Sequence, residues 1–140
     1  MTPFLTVYML DCGNAEKSDP ERSLSGFDLL GEGSFETVCI HSCLDFSKIQ
    51  IPTDWGIFIY SDEWMSPKLA QALPQFLEHG KDFDVLSLYK IRADEHPLKH
   101  LFQCPRIYRK HVRLRPLSLE PEIGYVKKHT LILDGFLYGE

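Results

Sequence analysis

Apolar and polar positions divide the chain into short blocks of different periodicity. Phe4 to Leu10 is a compact apolar run of strand length, closed by the turn cluster Asp11-Cys-Gly-Asn14. Asp19-Pro20 marks a helix start, and Leu24, Phe27 and Leu30 form its apolar stripe before Gly31-Glu-Gly33 stops it. Phe35 to Cys43 alternates, which predicts a strand with Val38 and Ile40 on one side and Cys39, His41 and Cys43 on the other. Leu44 to Pro52 is a connection. Trp55 to Tyr60 is apolar on both faces, the pattern of a central parallel strand. Ser66-Pro67 supplies an N-cap and a first-turn proline, Gly80 a stop, and Leu69, Leu73, Phe76 and Leu77 a helical stripe between them. Pro74 falls inside that stripe and predicts a kink or two short helices. Phe83 to Leu88, Pro105 to Leu114 and Lys127 to Leu133 predict further strands, with a polar loop over Arg92 to Lys99 and a turn at Asp134-Gly135.

These blocks form one α/β series without repeats or linkers, so a single α/β domain over residues 1–140 is expected, a mostly parallel sheet flanked by helices. Its 140 residues suffice for a real core, and 44% hydrophobic with 25% charged residues is ordinary globular composition. A net charge of −5 makes nucleic acid and anionic membranes poor general partners. The chain has no apolar stretch of membrane-spanning length, and its start reads as a first strand instead of a signal peptide. Four cysteines at irregular spacing do not suggest a disulfide framework, so reduced thiols and a cytoplasmic setting are expected.

The candidate chemistry gathers where the Trp55–Tyr60 run meets Asp62 and Glu63, just before the Ser66-Pro67 helix start. Acids beyond the C-terminal end of a buried strand occupy the place where open α/β sheets hold ligands. The plainer reading is electrostatic, since acids near a helix N-terminus are favoured by its dipole. Arg106, Arg109, Lys110, Arg113 and Arg115 concentrate basic charge, fit either for a phosphate clamp or for a solvated hairpin. Leu30-Gly-Glu-Gly-Ser-Phe-Glu-Thr-Val38 imitates a kinase glycine loop, but Glu36 replaces the third glycine and no catalytic-loop motif follows. Cys39, His41 and Cys43 make at most half of a soft metal site and read better as strand packing, while His96 and His100 flank Pro97 and read as loop residues.

Three segments taken in order resemble family-2 glycosyltransferases of the nucleotide-diphospho-sugar transferase fold. They are Trp55-Gly-Ile-Phe-Ile-Tyr-Ser-Asp-Glu63 with the following Ser66-Pro67, Asp82-Phe-Asp-Val-Leu86, and Pro105-Arg-Ile-Tyr-Arg-Lys110. The resemblance implies a three-layer α/β domain and transfer of a sugar from a nucleotide-sugar donor to an acceptor of unknown identity. It further implies a divalent metal, Mn or Mg, on Asp62 with Glu63 in support, and nucleotide or diphosphate contacts from Asp11, Tyr60, Arg106 and Arg109. This chain departs from the family pattern in four places. Tyr60 replaces the motif's first acid, the connection before Trp55 is short, the first strand ends in Leu10-Asp-Cys-Gly-Asn14 where the family has Pro-any-Tyr-Asn-Glu, and neither Glu120 nor Glu122 sits in a motif that marks a general base. These departures support an alternative: a non-catalytic binding or assembly protein that keeps the fold and has lost the active site.

Overall fold

The computed structural model describes residues 3–41, 45–80, 82–92, 102–122, 124 and 126–139. Among these residues seven strands form one sheet: β1 (Leu5–Leu10), β2 (Phe35–Ile40), β3 (Trp55–Tyr60), β4 (Glu63–Met65), β5 (Val85–Arg92), β6 (Phe102–Arg109) and β7 (His129–Gly139). Their order is β2-β1-β3-β6-β5-β7-β4, and the sheet curls into a half-barrel. β1 runs parallel to β2 and β3, and β5 to β7, while β3–β6, β5–β6 and β4–β7 are antiparallel.

This architecture overturns the expected three-layer α/β domain with a mostly parallel sheet. Strand makes up 41% and helix 23% of the structure, and the sheet is mixed. One reason is length: the segment between Arg92 and Phe102 is too short for the crossover of a dozen or more residues that a parallel neighbour requires. β6 therefore returns antiparallel to β5. A second reason is that, among the described residues, both α-helices lie on the same face. α1 (Pro20–Ser25), the 3-10 turn Gly26–Leu30 and α2 (Pro67–His79) accompany that face. There Phe27, Leu69, Leu73 and Leu77 pack on Leu5, Val7, Trp55, Ile57, Leu86 and Ile107. The opposite face, with Tyr8, Phe58 and Tyr108, is covered by irregular chain through Phe46, Ile49, Ile51, Val112, Leu114, Leu119 and Val126. Strand alternation supplies both cores at once, because successive side chains point to opposite faces.

α2 forms where its caps and stripe predicted it. Ser66 Oγ accepts the Leu69 N–H at 3.2 Å, Pro67 occupies the first turn, and Gly80 follows the last residue. It continues through Pro74 as one helix instead of breaking in two. β2 is exposed along most of its length, as an edge strand is. The turn expected at Asp134-Gly135 is instead a kink inside β7, where Gly135 adopts φ +88°. The kink brings β7 against the start of α2, so Ser66 Oγ also accepts the Phe136 N–H at 3.0 Å. His96, His100 and Cys43 lie outside the described residues. Among the described residues no helix is long and apolar enough to cross a membrane.

A Cβ on Gly135 would lie 2.5 Å from both the Leu69 nitrogen and Ser66 Oγ. Gly13 also has a positive φ, +78°, but nothing lies within 4 Å of its would-be Cβ. Urea unfolding should therefore show Gly135→Ala destabilised by roughly 2–6 kcal/mol, strain and clash together. Gly13→Ala should lose only the strain, about 1–3 kcal/mol. Equal losses at the two positions would contradict the close approach of β7 to α2.

Candidate functional site

The three parallel strands end together, since Leu10 is in register with Ile40 on one side and with Tyr60 on the other. Chain leaving these ends builds a rim. Ser61 N–H donates to the Leu10 carbonyl at 2.8 Å, Cys12 N–H donates to Ser61 Oγ at 3.0 Å, and Asp19 N–H donates to the Ser61 carbonyl at 2.7 Å. Ser23, 1% exposed, fastens α1 to the same place with its hydroxyl 3.3 Å from the Tyr60 carbonyl. Between these elements lies a cleft of about 290 Å³. Its walls are apolar at Met9, Ile40 and Pro20 and polar at Asp11, His41 and Ser61. Asp11 is exposed at the mouth, and one of its carboxylate oxygens, Oδ1, accepts the Gly13 N–H at 2.8 Å.

The other residues named from sequence do not converge on this cleft. Only a two-residue turn, Ser61–Asp62, separates β3 from β4, yet β6, β5 and β7 stand between those strands in the sheet. The curl of the half-barrel reconciles the two facts by bringing the far edge back beside β3. Glu63, the first residue of β4, consequently points into the molecule and is 0% exposed. Arg106 Nη1 and Nη2 donate to its Oε1 and Oε2 at 2.6 and 2.9 Å, Lys90 Nζ meets Oε2 at 2.5 Å, and the Tyr60 N–H donates to Oε1 at 2.8 Å. Burial alone would push the Glu63 carboxyl up, but Arg106 and Lys90 outweigh it and hold the group below its ordinary 4.5.

Both carboxylate oxygens of Glu63 are thus occupied by protein cations. Arg106, 6% exposed, is held on Glu63 and on the Phe58 carbonyl at 3.3 Å, with the Tyr60 ring 5.3 Å from its guanidinium. Arg109 lies opposite Trp55, at the end of β3 away from the rim. It stacks 3.8 Å over the Trp55 ring and donates to the carbonyls of Gly80 and Phe83 at 3.0 and 3.2 Å, binding the chain just beyond α2. The five-residue basic cluster of the sequence is therefore divided. Arg106 is internal, Arg109 secures α2, Arg115 meets Glu120 at 3.3 Å, and Lys110 and Arg113 stay exposed.

Asp62 remains in the turn, half-buried, and its carboxyl is pushed up by burial and by the neighbouring Glu63 charge. The donors implied for a divalent ion do not fit one: Glu63 is already neutralised, and Asp62 is left as a single carboxylate. Among the described residues no group of three or more His, Cys, Asp or Glu side chains could hold a metal. Sequence reasoning missed Ser61 and did not join Cys39 and His41 to Asp11, although all four line the cleft. The usable signal was that each stands at or next to the C-terminal end of a parallel strand. Lys90 was missed as well, because nothing local marks a lysine near a strand end as an internal partner. Comparison with models of known protein families and with curated proteins finds no match to this chain.

The two acids should respond to pH with opposite signs. The Glu63 carboxyl is depressed in the folded state, so its stabilisation is complete above about 4.5 and is lost as pH falls through the lower folded value. Asp62 is raised above 3.8, so its charge weakens the fold at neutral pH and the penalty fades in acid. Melting temperatures followed by circular dichroism should show Asp62→Asn more stable than the parent at neutral pH, with the gain gone below about 3.8. A loss of stability on that substitution at neutral pH would contradict the repulsive role of Asp62.

Proposed function

We propose that the protein is a non-catalytic binding protein whose rim cleft takes a small, neutral, hydroxyl-rich molecule of the nucleoside or sugar class. The observation that carries this reading is the cleft at the ends of β2, β1 and β3, with Asp11 at its mouth. Crevices beyond the C-terminal ends of parallel strands are where such sheets bind ligands. A carboxylate there accepts hydrogen bonds from ligand hydroxyls, and Met9 and Ile40 offer apolar surface to a base or a sugar face. Its volume of about 290 Å³ suits a ligand at the small end of the usual range, roughly 300–1,000 Å³.

Charge argues for a neutral ligand. Among the described residues lining the cleft there is no lysine or arginine, so nothing balances a diphosphate. The glycosyltransferase reading needs that balance from a metal on Asp62 and Glu63, or from Arg106 and Arg109. Glu63 and Arg106 already neutralise each other, and Arg109 lies at the opposite end of β3. The resemblance supports a ligand related to a nucleotide-sugar, while the arrangement of charges favours binding over metal-dependent transfer.

A thermal-shift panel of nucleosides, free sugars and nucleotide-sugars, each with and without Mn, tests this. At a hundredfold excess over Kd a ligand adds about 2.7 kcal/mol of stability, enough to read as a shift of several degrees. The expected result is a shift with a nucleoside or sugar that is indifferent to Mn and disappears in Asp11→Ala. A shift seen only with a nucleotide-sugar plus Mn, and abolished by Asp62→Ala, would return the protein to the transferase class.

A further inference from the structure

On the face away from the helices, two irregular segments lie side by side. One, around residues 45–52, carries a 3-10 turn (Phe46–Lys48); the other runs from Lys110 to Pro116. Backbone bonds bracket them at both ends: Phe46 N–H donates to the Pro116 carbonyl at 2.8 Å, and Lys110 N–H to the Asp54 carbonyl at 3.3 Å. Between the brackets is a cavity of about 640 Å³, more than twice the volume of the rim cleft. Its floor includes buried Ile51 and Val112, and its polar walls are Ser47, Lys48, Gln50, Lys110, His111 and Arg113.

Local structure determines which side chains reach this cavity. The Val112 N–H donates to the Arg109 carbonyl at 3.0 Å, turning the chain off the end of β6. Beyond the turn the pattern alternates, with Val112 and Leu114 buried and Arg113 and Arg115 exposed. Glu122 N–H donates to the Arg113 carbonyl at 2.8 Å and Arg115 N–H to the Glu120 carbonyl at 2.9 Å, so this wall is tied down from behind. On the other wall Asp45 caps its own turn, with Oδ1 accepting from the Ser47 N–H at 2.9 Å and from the Ser47 hydroxyl. The side chains that define the charge therefore stand on two braced walls.

The charge is one-sided. Among the described residues lining the cavity there is no aspartate or glutamate, in a protein of net charge −5. His111 meets Asp84 at 2.8 Å, so it belongs to a pair that also joins β5 to the Lys127–Lys128 backbone. Lys48 and Lys110 are both exposed; no salt bridge among the described residues joins either to an acid, although the Lys48 charge helps to lower the Asp45 carboxyl on the same wall. Cations around one braced concavity, with the Gln50 amide as an added donor, make a site for clustered negative charge.

We propose that this groove binds a small polyphosphate, a molecule presenting two or more linked phosphate groups, with Lys48 and Lys110 as its charge partners. None of the described lining residues is Phe, Tyr or Trp, and the one ring among them, His111, is engaged by Asp84, so recognition runs through the phosphates. The same feature, with the acidic net charge, argues against nucleic acid as the occupant. The site is separate from the rim cleft and does not rest on the reading given for it.

Isothermal titration of the intact protein with sodium tripolyphosphate at low ionic strength tests the proposal. Saturable one-to-one binding is expected, weakened by added salt and at least about tenfold weaker in the Lys48→Gln, Lys110→Gln double variant. That variant changes only exposed side chains, and its melting curve verifies folding. Asp11→Ala should bind tripolyphosphate as the parent does, which separates this outcome from any failure at the rim. Three results would overturn the proposal: no binding at low salt, unchanged affinity in the double variant, or tighter, length-dependent binding of an oligonucleotide through the same lysines.

Discussion

Glu63 meets groups from three other strands. Sitting on β4 at one edge of the sheet, it accepts the Tyr60 N–H from β3, both guanidinium nitrogens of Arg106 from β6 and the ammonium of Lys90 from β5. A flat seven-stranded sheet would not allow that reach. The short turn between β3 and β4 requires the sheet to curl, and the curl carries the Glu63 carboxylate and the Arg106 guanidinium out of water together, with Lys90 partly exposed beside them. A buried charge is tolerable only when it is paired and hydrogen-bonded, and here both oxygens of the carboxylate are satisfied. Removing one partner of such a pair typically costs about 3–5 kcal/mol, a large fraction of the stability of a domain this size.

The same pairing bears on the surfaces proposed to bind ligands. With Glu63 and Arg106 internal, the rim keeps Asp11, His41 and Ser61 around a small cleft without strong positive charge. On the other cover of the sheet Lys48, Lys110 and Arg113 line a larger cavity. The neutral ligand proposed for the rim rests on one fact: the strongest potential phosphate ligand near it, Arg106, is engaged inside the half-barrel. Arg109 follows the same logic, since a cation beside the C-terminal carbonyls of a helix is electrostatically favoured and Trp55 Nε1 donates to the Leu77 carbonyl nearby at 3.0 Å.

Elements governed by local physics were legible in the sequence. β1, β3 and α2 follow from dense apolar runs, an N-cap with proline and a stopping glycine, and they appear close to the expected boundaries. What depends on distant partners was not legible. An apolar run such as Trp55–Tyr60 indicates burial on both faces, but not whether helices or loops supply the cover, nor which way its neighbours run. Glu63 next to Asp62 reads as a two-acid rim, because the arginine that claims one of the two lies 43 residues away in the chain. The basic run from Arg106 to Arg115 reads as one patch, although strand alternation and the turn after β6 send its members to different places. The rim cleft was partly legible: Asp11 stood out at a strand end, while Ser61, Cys39 and His41 needed the parallel register to join it.

The account rests on Glu63 serving as a structural anchor instead of a metal ligand, and a double-mutant cycle tests this most directly. Denaturant unfolding of Glu63→Gln, Arg106→Met and the combined variant gives the coupling between the two side chains. We predict that each single change costs about 3–5 kcal/mol and that the pair costs less than their sum by roughly 1–3 kcal/mol. Small, additive losses, within about 0.5 kcal/mol of the simple sum, would contradict the account and free Glu63 for chemistry at the rim.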